Sequence, residues 1–229
     1  ELVIYWESFV DVEEHGLARH HSGIKSYEYA IGSVWGGSDV KAFTPVGIAN
    51  SVIAAGLRLQ DGHTYYATVR ATDFVGLSVQ ATSDPVTVDA SPPTVDSDHT
   101  LAMDGGSFIT STMAVSARWE NVFADKESGV AYYEWAVGSE PGHADIMAFS
   151  RVDTEAGTTD PSRPLNLREG HSYYICVKAI NHVGLVSLSS FGPFLVDASP
   201  PLAGLVFDGS WDAAPANHPD IDYQRERGV

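Results

Sequence analysis

The sequence predicts an all-β chain built from tandem β-sandwiches. Three observations carry that prediction. Apolar and polar residues alternate in short runs, which is the period-2 pattern of strands with one buried face. Gly, Asp, Asn and Pro punctuate the runs, and no stretch combines a helical period with helix caps. The same order of runs then occurs a second time, about 108 residues further on.

The elements follow in order. Glu1-Leu2-Val3-Ile4-Tyr5-Trp6 reads as the middle of a strand. Tyr27, Tyr29 and Ile31 alternate with polar neighbours. Tyr65, Ala67, Val69 and Ala71 are expected to face the core, with Tyr66, Thr68, Arg70 and Thr72 facing solvent. Asp73-Phe74-Val75-Gly76 is a tight turn, opened by Asp and closed by a Gly free to take positive φ. In the second half, Met113, Val115, Ala117 and Trp119 read as one strand. Tyr133, Trp135 and Val137 read as another, and Tyr173, Ile175, Val177 and Ala179 as a third. Asn181-His182-Val183-Gly184 repeats the turn.

The repetition is in register. Gly62-His63-Thr64-Tyr65-Tyr66 returns as Gly170-His171-Ser172-Tyr173-Tyr174, and Val88-Asp89-Ala90-Ser91-Pro92-Pro93 as Val196-Asp197-Ala198-Ser199-Pro200-Pro201, both at an offset of 108. Tyr27–Gly32 matches Tyr133–Gly138 at 106, and Trp6 matches Trp119 at 113. The first copy therefore carries extra residues after its Trp, within 13–21. A period near 108 is domain-sized, so the copies are domains rather than turns of a solenoid. Paired prolines forbid helix and stiffen an extended connection, which marks the joints. The expected division is residues 1–90, 91–198 and 199–229. The last is the opening of a third copy or a linker, with Asp208-Gly209-Ser210 echoing Asp104-Gly105-Gly106-Ser107. Both ends are expected to be cuts in a longer protein.

Leu59, Gly62, Tyr65, Val69 and Ala71, repeated as Leu167, Gly170, Tyr173, Val177 and Ala179, resemble the tyrosine-corner signature of fibronectin type III domains. Trp6 and Trp119 match that family's strand B tryptophan, and Tyr27 and Tyr133 its strand C tyrosine. The likeness spans nearly all of residues 1–200 and implies immunoglobulin-like, fibronectin type III-like sandwiches, with Trp6, Trp119, Tyr65, Tyr173, Leu59 and Leu167 as structural positions. The whole pattern is similar to repeats of very large extracellular proteins. The first copy departs from the family in one respect. It begins at the tryptophan strand, so its first strand is absent from these residues, and an open sheet edge there invites strand addition.

Composition limits the function. The chain has 30 acidic and 13 basic residues among 229, for a formal net charge of −17, and only four lysines. That balance excludes a nucleic-acid binder and direct contact with an anionic membrane surface. Cys176 is the sole cysteine, so no intrachain disulfide forms. Alternation places it on the outward face, as a half-exposed and inert thiol.

Chemistry-bearing motifs are sparse. Asp125 and Glu127, in Phe123-Ala124-Asp125-Lys126-Glu127-Ser128-Gly129, are calcium candidates, together with Asp89 and Asp197 beside the joints, because carboxylate oxygens suit a hard cation. The competing reading is a solvated Asp turn, and no EF-hand loop is present. His15, His20 and His21 with Glu13 and Glu14 match no metal spacing and read as a solvated loop. His63 and His171 recur at one place in both copies and read as turn residues. No nucleophile elbow, Walker loop or zinc-protease motif occurs, so no catalytic residue and no cofactor are expected. Trp35, Trp135 and Trp211 are sugar-stacking candidates, with core packing the expected task of Trp135. No N-glycosylation sequon occurs, and the Ser-Pro-Pro joints could take O-linked sugar.

These features lead to an expectation of a non-enzymatic structural or adhesive segment of an extracellular or cell-surface protein, a semi-rigid spacer in a stalk or filament. Its partners would be other copies of the protein or neighbouring extracellular proteins. The alternative is an accessory carbohydrate- or protein-binding module of an extracellular enzyme or a receptor ectodomain.

Overall fold

The structure is a computed structural model and describes residues 1–11, 22–103 and 105–204. Among these residues every regular element is a strand. The first repeat holds β1 (Leu2–Tyr5), β2 (Ile24–Gly32), β3 (Lys41–Gly47), β4 (Ser51–Ala54), β5 (Thr64–Asp73), β6 (Ser78–Thr82) and β7 (Val86–Thr87). The second holds β8 (Thr94–Val95), β9 (Ala102–Met103), β10 (Phe108–Ile109), β11 (Ser116–Arg118), β12 (Phe123–Ala124), β13 (Val130–Gly138), β14 (Met147–Val152), β15 (Ala156–Thr158), β16 (Ser172–Asn181) and β17 (Val186–Val196).

Each repeat is two sheets face to face. In the first, β3-β2-β5-β6 form one sheet, β7 continues along β5, and β1 pairs with β4 in the other. In the second, β14-β13-β16-β17 form the equivalent sheet, and β15-β11-β9 the opposite one. The leader of the second repeat also runs along three tracks. β8 pairs antiparallel with β12, β9 antiparallel with β11, and β10 parallel with β17. This strand order is that of a tandem fibronectin type III-like all-β fold.

The alternating residues meet between the sheets. Ile4, Tyr27, Tyr29, Ile31, Tyr65, Ala67, Val69 and Ala71 form the first core. The second core is built on Trp119 and Trp135 and adds Leu101 and Ile109 from the leader. Trp119 is completely buried, whereas Trp6, its counterpart, is only partly so. Both rings pack edge-on against the strand tyrosine, Trp6 on Tyr27 at 5.7 Å and Trp119 on Tyr133 at 5.9 Å between centroids.

Three expectations are corrected. Thr68, expected to face solvent, is completely buried, its hydroxyl 3.0 Å from that of Thr82 on the neighbouring strand β6. The strand expected from Met113 to Trp119 is only Ser116–Arg118, and Met113 is exposed while Val115, Ala117 and Trp119 are buried. The alternation survives, but strand pairing stops where β15 ends. Cys176 is fully buried, not half-exposed. It does lie outside the core cluster, on the outer face. The turn between β13 and β14 folds over that face, putting Cys176 Sγ 3.3 Å from the His143 carbonyl and 3.5 Å from Ser190 Oγ.

Candidate functional site: the joint between the repeats

The tight turns that end β5 and β16 set up the joint. Asp73 Oδ1 accepts from the backbone amides of Val75 and Leu77 at 2.9 and 2.8 Å. Asn181 Oδ1 accepts from the Leu185 amide at 2.7 Å. Gly76 and Gly184 complete the turns at φ of 90° and 87°, a region that glycine enters without a Cβ clash. In the second repeat the amide half of Asn181 remains free to reach outward.

It reaches the connection between repeats. Asn181 Nδ2 donates toward Asp89 Oδ2 at 2.9 Å, Asp125 Oδ2 at 3.1 Å and the Ser91 carbonyl at 3.2 Å. Asn181 is 2% exposed, so these are interior contacts. Asp125 Oδ1 accepts from the Ser128 and Gly129 amides at 2.9 and 2.8 Å. Burial opposes ionisation of Asp125, but the Asn181 amide and the Gly129, Ser128 and Glu127 backbone amides outweigh it and hold its carboxyl below the usual range. Ser187 Oγ donates to the Pro93 carbonyl, and the Pro93 side chain is fully buried.

The first repeat grips the other end of the connection. The Val88 amide donates to the His63 carbonyl at 2.9 Å, and the Gly62 amide to the Val88 carbonyl at 2.9 Å. Asp61 Oδ1 accepts from the Ala90 amide at 2.7 Å, and that bond, together with one from the Ser91 side chain, lowers the proton affinity of its carboxyl. Val88 through Pro93 therefore has almost no free length.

The calcium candidates divide here. Asp89 and Asp125 converge on the Asn181 amide nitrogen, and Glu127 lies beside Gly62. Asp197 stands apart from them, exposed at the far end of β17. Among the described residues no group of three or more His, Cys, Asp or Glu side chains is arranged to hold a metal ion. His63 and His171 each place Nδ1 about 3 Å from a backbone carbonyl two residues back, Asp61 and Glu169 at 3.0 and 3.1 Å, a shared turn contact. The tyrosine-corner hydroxyls accept from the Gln60 and Arg168 amides at 3.0 and 3.1 Å, tying the chain before each strand to the core. Leu167 is buried and Leu59 partly buried against the first core. Trp135 is a core residue, and Trp35 is exposed on a turn. The His15, His20 and His21 cluster, Glu13, Glu14, Trp211 and the Asp208-Gly209-Ser210 echo lie outside the described residues.

Sequence reasoning missed three things. It treated Asn181 as a turn opener and not as the pin of the joint; the available signal was its replacement by Asp73 in the other copy. It missed paired turn clamps, in which Asp39 accepts from the Ser33 amide and hydroxyl at 2.9 and 2.7 Å, and Asp145 from those of Ser139 at 2.9 and 2.8 Å. It also missed an outer-face triad built twice. Arg70 bonds Glu28 at 2.6 Å and stacks 4.0 Å over Phe43, while Lys178 bonds Glu134 at 3.3 Å and sits 3.7 Å over Phe149.

No family model matches the chain, and no curated protein does. Among solved structures, the chain is similar to the FN1–FN3 domains of chicken CNTN1, at 18% identity and a TM-score of 0.36, covering 72% of this chain and 55% of that one. It is also similar to the central fibronectin-III array of RIM-binding protein, at 13% identity and a TM-score of 0.26, covering 92% of this chain and 70% of that one. The chain thus spans about half the length of the CNTN1 structure.

Proposed function

We propose that this segment is a non-enzymatic, semi-rigid spacer of a longer extracellular or cell-surface protein, divided into repeats at residues 1–90 and 91–198, with the start of a third repeat or a linker at 199–229. The observation that supports this reading is the pinned joint. Val88-Asp89-Ala90-Ser91-Pro92-Pro93 is held by Asp61, Gly62 and His63 on one side and by Asn181 and Ser187 on the other. A connection bonded at both ends bends less than a flexible linker, because bending breaks the hydrogen bonds that hold it to either repeat. The same six residues recur at Val196–Pro201, where the Ala198 amide is again held by an acidic side chain, that of Glu169 at 3.0 Å.

Small-angle X-ray scattering tests it. The expected result is an extended particle whose maximum dimension is unchanged by salt. A compact particle, or a distribution of bend angles as broad as that of a Gly/Ser-linked control, overturns the spacer reading. Replacing Asn181 by Ala should broaden the distribution.

A further inference from the structure

The turn between β2 and β3 and its counterpart between β13 and β14 share a frame and differ at the surface. In the first repeat the Gly37 amide donates to the Val34 carbonyl at 2.9 Å, and Gly36 sits at a φ of 73°. In the second the His143 amide donates to the Glu140 carbonyl at 3.1 Å, with Gly142 at 81°. Positive φ at the third residue makes both type II turns, whose second residue is commonly proline. The second repeat has Pro141 there, and the first has Trp35. Asp39 clamps the first turn to Ser33 as Asp145 clamps the second to Ser139. Folding does not account for the tryptophan. Trp35 is 72% exposed and belongs to neither core. An aromatic side chain in water on a clamped turn is preorganised for contact, because little freedom remains to be lost on binding.

The ends of this turn form one wall of a groove of about 510 Å³, within the size range of ligand clefts. Ser33 and Asp39 line it from the turn, and Leu57, Arg58, Gln60 and His63 from the chain that leads into β5. Arg58 is exposed and makes no ion pair among the described residues. Each Asp39 oxygen accepts one bond from Ser33 and keeps a further lone pair. His63 Nδ1 donates to the Asp61 carbonyl at 3.0 Å, which leaves Nε2 as an acceptor. Fixed donors and acceptors therefore stand side by side. The second repeat keeps the scaffold, as Ser139, Asp145, His171 and Tyr173, but has Asn166 in the place of Arg58 and Pro141 in that of Trp35.

We propose that this groove binds a neutral hexopyranose unit of a glycan, with Trp35 stacked on the C–H face of the sugar ring and Asp39, Arg58 and Gln60 bonded to its hydroxyls. A sugar hydroxyl both donates and accepts, so adjacent carboxylate and guanidinium groups match it. The C–H face of the ring is apolar, and the indole supplies a flat apolar cover. Charge selects the neutral sugar. The chain carries a net −17, Asp39 lines the groove and Asp61 follows Gln60, so an anionic sugar is repelled. The rest of the turn is Val34, Gly36, Gly37 and Ser38, far less apolar area than the core of a protein interface buries. The site does not rest on the spacer reading.

Calorimetric titration of the full chain with lactose and with cellotetraose tests it, with the amide NMR shifts of Gly36, Asp39 and Gly142 read in parallel. Lactose presents chain-end sugars and cellotetraose adds internal ones, so the two arms separate a glycan terminus from a polysaccharide run. The expected result is saturable binding of at least one probe, with shifts at Gly36 and Asp39 and none at Gly142. Trp35→Pro and Arg58→Asn, each the residue of the second repeat at that place, should weaken binding at least tenfold at an unchanged unfolding temperature. Trp35→Ala should do the same and covers the case of a proline that disturbs the turn. Absence of binding to both probes overturns the proposal, as does unchanged affinity in Trp35→Ala. Sialyllactose bound as tightly as lactose overturns the neutral-sugar assignment. Shifts of the same amides that grow with protein concentration in the absence of sugar would assign the turn to a second copy of the chain and overturn the sugar. A compact particle in scattering with sugar binding intact would overturn the spacer reading and leave this site standing.

Discussion

At the scale of single residues, the two repeats differ by compensated exchanges that no single strand pattern reveals. Trp135 occupies the place of Tyr29, and Gly157 the place of Val52. A Cβ added at Gly157 would lie 2.4 Å from the Trp135 ring, so the larger indole is accommodated by deleting the facing side chain. Gly157→Ala should therefore destabilise the second repeat by about 1–3 kcal/mol, the usual cost of overpacking. In the Trp135→Tyr background the same change should cost much less, and denaturant unfolding of the four variants reads that coupling directly. Asn181 is a second such position. Asn181→Ala strips the shared donor from Asp89 and Asp125, and should cost about 1–3 kcal/mol in the same measurement. Asn181→Asp should cost more, because three carboxylates then converge. The strand residues and corner tyrosines were legible in the sequence because their signals are local: alternation and fixed spacing. The task of Asn181 was not, because its partners lie up to 92 residues away in sequence.

At the scale of elements, the sheets were legible and their coverings were not. Alternation assigned Cys176 correctly to the outer face of β16, but alternation has no information about a turn that folds back over that face. The glycine before each turn shows how tightly it folds. A Cβ on Gly138 would lie 2.2 Å from the His143 carbonyl oxygen, and one on Gly32 would lie 2.4 Å from Gly37. Cys176 should therefore resist thiol reagents in the native protein and react only on unfolding, a rate that a chromogenic disulfide reagent measures. The Asp clamps within these turns give a pH dependence. Asp39 and Asp145 both have lowered proton affinity through bonds to the Ser33 and Ser139 side chains and amides. Asp61 and Asp125 at the joint are lowered as well. A carboxyl whose folded pKa lies below its unfolded value contributes stability above the unfolded pKa and loses it as pH falls through the folded one. Stability from these groups should be level from pH 7 to about 5 and fall below about pH 4. Asp39→Asn with Asp145→Asn should flatten part of that fall in thermal unfolding curves taken across pH.

At the scale of the whole molecule, the repeats are alike in topology and unequal in what they bury. Between residues 94 and 109 the second repeat adds β8, β9 and β10 to its sheets and Leu101 and Ile109 to its core. Trp119 is consequently sealed, while Trp6 is not. Burying apolar side chains is worth about 25 cal/mol per Å² removed from water, so of these two sets of residues the one that buries more of them is the more stable. The joint does not equalise them, because its buried pins, Asn181 and Pro93, lie against the second repeat, while the first contributes the more exposed Asp61 contact. Unfolding should therefore be three-state, with the first repeat melting at lower temperature. Tryptophan emission of a chain carrying Trp119→Phe and Trp135→Phe should report the early step, and that of a Trp6→Phe, Trp35→Phe chain the late one. A single coincident transition for both would mean that the joint carries enough energy to make the repeats one cooperative unit, a stiffer array than the hydrogen bonds across Val88–Pro93 account for.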